Sequence, residues 1–497
     1  MKLHLFAAGA ALALAAPLVA HAETSCADMA QAKLPHAEVT AAKSVAIQGG
    51  QACDLHVTSR PTADSEIKIE VMIPQGPAWN GKFVQVGNGG LAGSIPAAQV
   101  KGRADEGYAA AGTDDGHGGN GRTATWALGH PEKIKDFGTR SLKETTEAGK
   151  LLIKTQKGEP PKRSYFVGCS AGGREALMEA QRFPDDFDGI VAGATANYNT
   201  LSTGGRAYMQ QTLAKPGGYL ALPQLQLLQD AALKQCADGG AFIRDQMACH
   251  FDPAVLKCKP GQTDGCLTAP QIASAKAIYS GRMVGGKSMF PGYMPGAEAM
   301  RGAWQAWNTG TSQATWEESS GHAISSQFLK YFVYDDPSFD FLKMDLGPKY
   351  DRDRQKTAAV LDATNADLTP FRSHGGKLIQ YHGWNDPAIP PLGSVKYHDA
   401  VVATTKDAAS FYRLYMIPGM LHCQGGAGPG TVDWLSILDR WVEAKTAPQE
   451  VTASSPSGAT QLLCPYPAVA RNQGGAWGCW VKKVQRLPVT LADPRKG

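Results

Sequence analysis

Apolar and polar residues alternate at every second position in "EIKIEVMIP", Glu66 to Pro74, the period of a half-buried strand. "KFVQVGNGG", from Lys82, reads as a strand running into glycines, and "YAAAGTDDGHGG", from Tyr108, as an apolar strand ending in a polar loop. Lys143 to Thr155 carries its apolar residues at helical spacing. "RSYFVGCSAGGREALMEAQRFP", from Arg163, follows as strand, sharp turn and helix, and "FDGIVAGA", from Phe187, as another buried strand. Strands alternating with helices predict an α/β fold, a mostly parallel sheet with helices on both faces.

That rhythm stops near Ala196. Tyr198 to Leu346 is rich in loops, holds Cys236, Cys249, Cys258 and Cys266, and is dense in aromatics such as Trp304, Trp307, Trp316, Tyr331, Phe332 and Tyr334. We read residues 198–346 as a lid domain inserted into the core. The alternation returns at "GGKLIQYHGWNDPAIPP", from Gly375, with a strand Lys377–Tyr381 and then a helix Ser394–Val402. A strand Phe411–Ile417 comes next, and a helix "DWLSILDRWVEA" with Trp434, Ile437, Leu438 and Trp441 on one face. The core is therefore expected in two parts, residues 23–197 and 347–497.

Residues 1–22, "MKLHLFAAGAALALAAPLVAHA", change the picture by adding a leader. Lys2, the apolar run Leu5–Val19 and the small-x-small end Ala20-His21-Ala22 form a secretory signal with cleavage after Ala22. The run is short for a membrane span and no later one is long enough, so export to the periplasm or beyond is expected, with no membrane anchor. A net charge of +4 over 497 residues, without a Lys/Arg block, argues against nucleic-acid binding. Ten cysteines in an exported chain read as disulfides. Four pairs are local: Cys26 with Cys53, Cys236 with Cys249, Cys258 with Cys266, and Cys464 with Cys479. Cys169 and Cys423 remain.

The chemistry centres on Gly168-Cys169-Ser170-Ala171-Gly172, a G-x-S-x-G turn that exposes a serine nucleophile between strand and helix. A serine needs a base to take its proton and an acid to orient that base. On such a sheet the three arrive in the order serine, acid, histidine, each after a strand. Ser170, Asp386 in "HGWNDP" and His422 in "GMLHCQ" fill that order. His117 precedes the serine and His382 lies too close in the chain to Asp386 to be its partner. With His374, they are read either as supports behind the reacting residues or as structural. Ser170 facing His422 puts Cys169 opposite Cys423, and disulfide Cα atoms stand about 4.4–6.8 Å apart. A Cys169–Cys423 bond is thus expected to clamp nucleophile and base in register and to remove a competing thiol. The backbone N–H of Ala171, with that of Gly89 or Gly90 in "GNGGLAG", is the expected oxyanion hole. This chemistry requires no metal or organic cofactor.

Together, "GCSAGG", "YHGWNDPAIPP" and "PGMLHC" resemble the Cys-Ser…Asp…His-Cys signature of the tannase and feruloyl esterase family, which includes the mono(2-hydroxyethyl) terephthalate hydrolases. "WNGKF" at Trp79, "GTDDGH" at Gly112 and "DLTPFRSHGGKLI" at Asp367 extend the resemblance over most of the mature chain. It implies a secreted α/β-hydrolase with a lid, the Ser170–Asp386–His422 triad and the Cys169–Cys423 clamp. The implied reaction is hydrolysis of small-molecule esters of aromatic acids, hydroxycinnamic or gallic in type, through an acyl-enzyme. Terephthalate monoesters and aliphatic polyester oligomers stay open as alternative substrates, and a catalytically silent phenolic-binding protein as a remote one. Many members carry an acidic calcium loop between the cysteines matching Cys236 and Cys249. Here "CADGGAFIRDQMAC" has only Asp238 and Asp245 as carboxylates, whereas calcium takes six to eight oxygens, so retained calcium is not expected. Lid aromatics are candidates to stack on a planar acyl group, and Arg301 or Lys287 to pair with a substrate carboxylate.

Overall fold

The computed structural model describes residues 23–481; the leader and its cleavage point lie outside the described residues. Seven strands come first: β1 (Ala37–Ile47), β2 (Gly50–Ser59), β3 (Ile67–Pro74), β4 (Lys82–Val86), β5 (Ala109–Thr113), β6 (Arg163–Cys169) and β7 (Gly189–Gly193). A small hairpin of β8 (Arg282–Val284) and β9 (Lys287–Phe290) precedes β10 (Lys377–Gly383) and β11 (Tyr412–Ile417). Nine of these strands form one sheet in the order β1-β2-β3-β5-β4-β6-β7-β10-β11. β1, β2 and β3 meander antiparallel and β3 meets β5 antiparallel. From β5 to β11 every pairing is parallel.

The parallel half must be covered on both faces, because β5 and β7 have no exposed residue. Phe83, Phe166, Ile190 and Leu378 point to one side, where they meet Leu152, Leu177 and Val395 of helices Ser141–Lys157, Ala171–Arg182 and Leu392–Thr404. Their chain neighbours Val84, Tyr165, Val191 and Ile379 point to the other. There Val100 of helix Ala97–Asp105 and Leu435, Leu438 and Trp441 of helix Trp434–Ala444 cover them. The two-residue period of a strand thus builds two cores from one sheet.

Between β7 and β10 the chain forms helices Asn199–Leu213, Leu222–Cys236, Ala269–Ser280 and Ser320–Phe328, with their own apolar cluster of Leu213, Leu225, Leu228, Ile278 and Trp304. Five disulfides join Cys26–Cys53, Cys169–Cys423, Cys236–Cys249, Cys258–Cys266 and Cys464–Cys479, with no free cysteine among the described residues. Such a set belongs to an oxidising compartment. Among the described residues, no helix is long and apolar enough to cross a membrane.

Candidate active site

Ser170 stands between β6 and helix Ala171–Arg182 with φ 66° and ψ −119°, a backbone that non-glycine residues adopt only under constraint. The constraint is visible. Ser170 N–H donates to Gly193 O at 3.0 Å, and Ser170 O accepts from the N–H groups of Arg174 and Ala196, both at 3.1 Å. The glycines of the motif are what let helix, strand and turn come this close. A Cβ on Gly168 would lie 2.3 Å from Gly172 O, and one on Gly173 2.1 Å from Gly193 O.

Asp386 and His422 leave the carboxyl ends of β10 and β11, on the same rim of the sheet as Ser170. Asp386 is buried and takes four hydrogen bonds. Oδ1 accepts from the Ala388 N–H at 2.7 Å and the Ile389 N–H at 2.9 Å. Oδ2 accepts from His422 Nδ1 at 2.8 Å and from His382 Nε2 at 3.1 Å. Burial alone would raise the carboxyl's pKa. The neighbouring His422 charge and the imidazole hydrogen bonds outweigh it and hold the group well below the usual carboxylate range. A carboxylate at Nδ1 fixes the proton there, which leaves His422 Nε2 free as a base.

The two loops are tied to each other. Asn385 N–H donates to Met420 O at 3.0 Å, and a Cβ on Gly383 would come within 2.4 Å of that same oxygen. Cys423, next to His422, holds a left-handed φ of 60° and is bonded to Cys169, next to Ser170, with a Cα separation of 6.1 Å.

The pairing of His382 with Asp386 corrects the expectation that the two lie too near in the chain to be partners, and it fits the supporting role that the sequence leaves open for this histidine. The Asp386 N–H closes a turn on Gly383 O at 3.2 Å, so the carboxylate folds back over the end of β10. The alternating polar side chains Gln380 and His382 in an otherwise apolar strand were the available signal.

The segment between β7 and β10 roofs this centre. The Trp307 ring stands edge-on to the His422 ring, centroids 5.1 Å apart. Arg206 and Tyr293 both donate to Ala388 O, at 2.6 and 3.1 Å, and Asn308 donates to Pro387 O at 3.1 Å. The acid loop is therefore held from above by three side chains. The other aromatics serve packing. Trp304 is buried in the apolar cluster of this segment, and Trp316 meets His322 edge-on. Tyr331 and Phe332 pack with Leu91 and Phe137, and Tyr334 stacks on Phe339. Lys287 and Arg301 are exposed.

The loop Gly87–Gly93 lies against the first turn of the nucleophile's helix, with Gly172 N–H donating to Asn88 O at 2.8 Å. Asn88 N–H in turn donates to Glu175 Oε2 at 2.9 Å, a contact the sequence reading did not anticipate. Gly89 is exposed, and open space lies where its Cβ would be. Gly90 has φ +61° and would place a Cβ 2.3 Å from Gly121 O. Asp115, beside Glu175, is raised well above the usual carboxylate range by burial and by that neighbour's charge. His117 donates from Nε2 to Leu91 O at 2.9 Å and stacks on Trp126 at 3.6 Å, which makes it a prop of the glycine loop. His374 sits apart, 3.4 Å from Asp185.

Burial pushes His117 down to about 4 from 6.5. The folded state thus prefers its neutral ring, and the stability it contributes is complete above pH 6.5 and lost as pH falls towards 4. Replacing it with a residue that does not titrate, His117→Asn, is expected to remove about 3 kcal/mol of acid sensitivity across that window. Urea unfolding of both proteins at pH 7, 5.5 and 4 reads the difference. Asp114 and Asp362, raised to about 6 by burial, act in the opposite sense but equally in both proteins.

Two neighbouring features fall outside the triad. In the Cys236–Cys249 loop, Asp238 is exposed and Asp245 faces Arg471 at 3.6 Å, so the donor set does not fit a calcium ion. A cavity of about 700 Å³ lies behind the acid and base loops, lined by Trp384, Met416, Pro418, Met247, Tyr466 and Trp477 among others. Ser170, Asp386 and His422 do not line it.

The family model described as "Tannase and feruloyl esterase" matches residues 53–483. An uncharacterized esterase of Xanthomonas campestris pv. campestris is 35% identical, over 92% of this chain and 90% of that one. The mono(2-hydroxyethyl) terephthalate hydrolase of Piscinibacter sakaiensis is 31% identical, over 82% and 79%. Feruloyl esterase B from Aspergillus oryzae superposes with a TM-score of 0.83 at 26% identity, over 92% of this chain and 99% of that one. The Aspergillus niger tannin acyl hydrolase, TM-score 0.74 at 22% identity over 92% and 95%, shares the fold. With the α/β-hydrolase sheet and the Cys-Ser…Asp…His-Cys geometry already in place, the match over most of the chain makes it a member of the tannase and feruloyl esterase family.

Proposed function

We propose that this carboxylic ester hydrolase cleaves esters of aromatic acids through a covalent acyl-enzyme on Ser170. The observation that carries the reading is the Asp386–His422 hydrogen bond of 2.8 Å, on a loop bonded through Cys423 to the residue before Ser170. Ser170 Oγ attacks the ester carbonyl carbon while His422 Nε2 takes its proton. The carbonyl oxygen, now negative, is met by the Ala171 N–H at the positive end of its helix and by the Gly89–Gly90 turn. His422 returns the proton to the departing alkoxide, and the C–O bond to the alcohol breaks. Water then attacks the acyl-enzyme by the same route in reverse, releasing the acid and restoring Ser170. Trp307, over the imidazole, shields the ion pair from solvent and supplies an apolar wall for a planar acyl group.

The aromatic substrate class follows the named relatives, among them a probable feruloyl esterase of Arthroderma benhamiae, 30% identical over 85% of this chain. A terephthalate monoester is the second reading, favoured by the likeness to the Piscinibacter sakaiensis enzyme. The disulfides and leader fit export, with the signal cleaved after Ala22. Methyl ferulate, methyl gallate, chlorogenate and mono(2-hydroxyethyl) terephthalate, assayed in parallel, separate these readings. Ser170→Ala is expected to abolish turnover and labelling by a fluorophosphonate. Persistent turnover in that variant would overturn the mechanism, and a preference for aliphatic esters would overturn the substrate class.

A further inference from the structure

We infer that His382 is a positioning residue of the catalytic triad, acting through Asp386 at the end of a one-directional hydrogen-bond chain from Tyr412, Gln380 and Ser394. The inference rests on the triad reading above for its kinetic consequences, but not for its geometry.

His382 has no exposed side-chain surface. Its Nε2 lies 3.1 Å from Asp386 Oδ2 and 3.1 Å from Ile389 O. Both are acceptors, so Nε2 must carry a proton. Its Nδ1 lies 2.8 Å from Ser394 Oγ. What Ser394 does there is decided by Gln380, whose amide donates to Ser394 Oγ at 2.9 Å and to Thr195 Oγ1 at 2.8 Å. The Gln380 amide is oriented by Tyr412, whose hydroxyl donates to Gln380 Oε1. Thr195 spends its own proton on Asn197 Oδ1 at 3.0 Å. Ser394 then has one proton and two acceptors in reach, Thr195 Oγ1 at 3.2 Å and His382 Nδ1 at 2.8 Å, and the shorter contact, to the stronger acceptor, assigns it to the imidazole. Every donor in the chain points the same way: phenol to amide carbonyl, amide to serine, serine to imidazole, imidazole to carboxylate. With that assignment Nδ1 is the acceptor, and the His382 proton sits at Nε2, on the side of Asp386.

The consequence falls on Asp386. Two backbone N–H groups occupy Oδ1 and two imidazoles occupy Oδ2. A buried carboxylate with an open acceptor site takes up a proton or turns towards another donor. With His382 in place neither happens. The carboxylate stays ionised and stays turned so that its remaining Oδ2 lone pair faces His422. An apolar residue of similar volume would fill the space but leave Asp386, Ser394 and Gln380 each short of a partner.

His382→Leu is expected to lower kcat about 10- to 100-fold with KM nearly unchanged, since orientation and not substrate binding is lost. An Asp386 relieved of one donor becomes more basic and stabilises protonated His422 more, so the acid limb of kcat/KM should move to higher pH. His382→Gln keeps an N–H donor near the same place and should return most of kcat and bring the limb back. A role in packing alone would move neither the limb nor the glutamine rescue.

Proton NMR of the wild type with ¹⁵N-labelled histidine reads the geometry without turnover or folding of any variant. It is expected to show His382 with Nε2 protonated and Nδ1 bare, beside a second downfield signal from His422 Nδ1–H. A doubly protonated His382, or one protonated at Nδ1 only, overturns the inference. So does a leucine variant with wild-type kcat and limb. Activity surviving Ser170→Ala would sink the function reading while leaving the His382 tautomer as found.

Discussion

Asp386→Asn should fold and should lose about 10⁴-fold in kcat, with little change in KM. The size follows from the four partners of this side chain. The N–H groups of Ala388 and Ile389, His422 Nδ1 and His382 Nε2 all donate to it. An asparagine must turn its own NH₂ towards one of those pairs, where donor meets donor. Facing the backbone pair, which cannot change tautomer, it would break the turn. Facing the imidazoles, it drives the His422 proton from Nδ1 to Nε2, and an Nε2 that already carries a proton cannot accept one from Ser170. Steady-state kinetics with a p-nitrophenyl ester and circular dichroism of the same preparation check both halves of this prediction. A folded variant within tenfold of the wild-type kcat would mean that another group orients His422. Because the carboxyl is held well below the usual range, its own protonation is not expected to limit activity in mild acid.

The three residues of this site were legible because each sits where local rules are strict. The Ser170 turn demands glycine at 168, 172 and 173 for close approach. Asp386 and His422 each follow a strand whose apolar pattern stands out. The residues that support them were not legible, because what makes them matter is tertiary. Glu175 looks like an ordinary acid within "REALMEAQ", and only the packing of the glycine loop on that helix buries it against Asn88 N–H. His382 was judged by its separation along the chain, although a four-residue turn returns Asp386 to the strand end. Sequence density singled out six lid aromatics equally. The fold brings one, Trp307, against the His422 imidazole and gives the others to packing. The edge strand β1 escaped because its side chains are mostly small and partly exposed, so its alternation is shallow.

Removing the sulfur bridge beside the triad, as Cys169→Ala with Cys423→Ala, is expected to affect both stability and rate. The bond closes a loop with a sequence separation of 254, which in the chain-entropy account contributes about 5.5 kcal/mol. Removing Cys258–Cys266, with a separation of 8, should give up about 2.5 kcal/mol on the same relation. Rate is where the two should part. Cys423 holds a φ of 60°, a strained backbone that an alanine inherits without the covalent tie that maintains it. The loop then relaxes, and His422 moves relative to Ser170. A displacement of about 1 Å is enough for a loss of about 100-fold in kcat. The Cys258–Cys266 variant has no such link to the triad and should keep its kcat while its melting temperature falls. Measured at a temperature where both variants remain folded, equal kcat values would mean that the loops find their register without sulfur, held by Asn385 N–H on Met420 O and by the lid's grip on Ala388. A selective loss in the first variant would mean that those hydrogen bonds align the acid with the base, while the bridge aligns the base with the nucleophile.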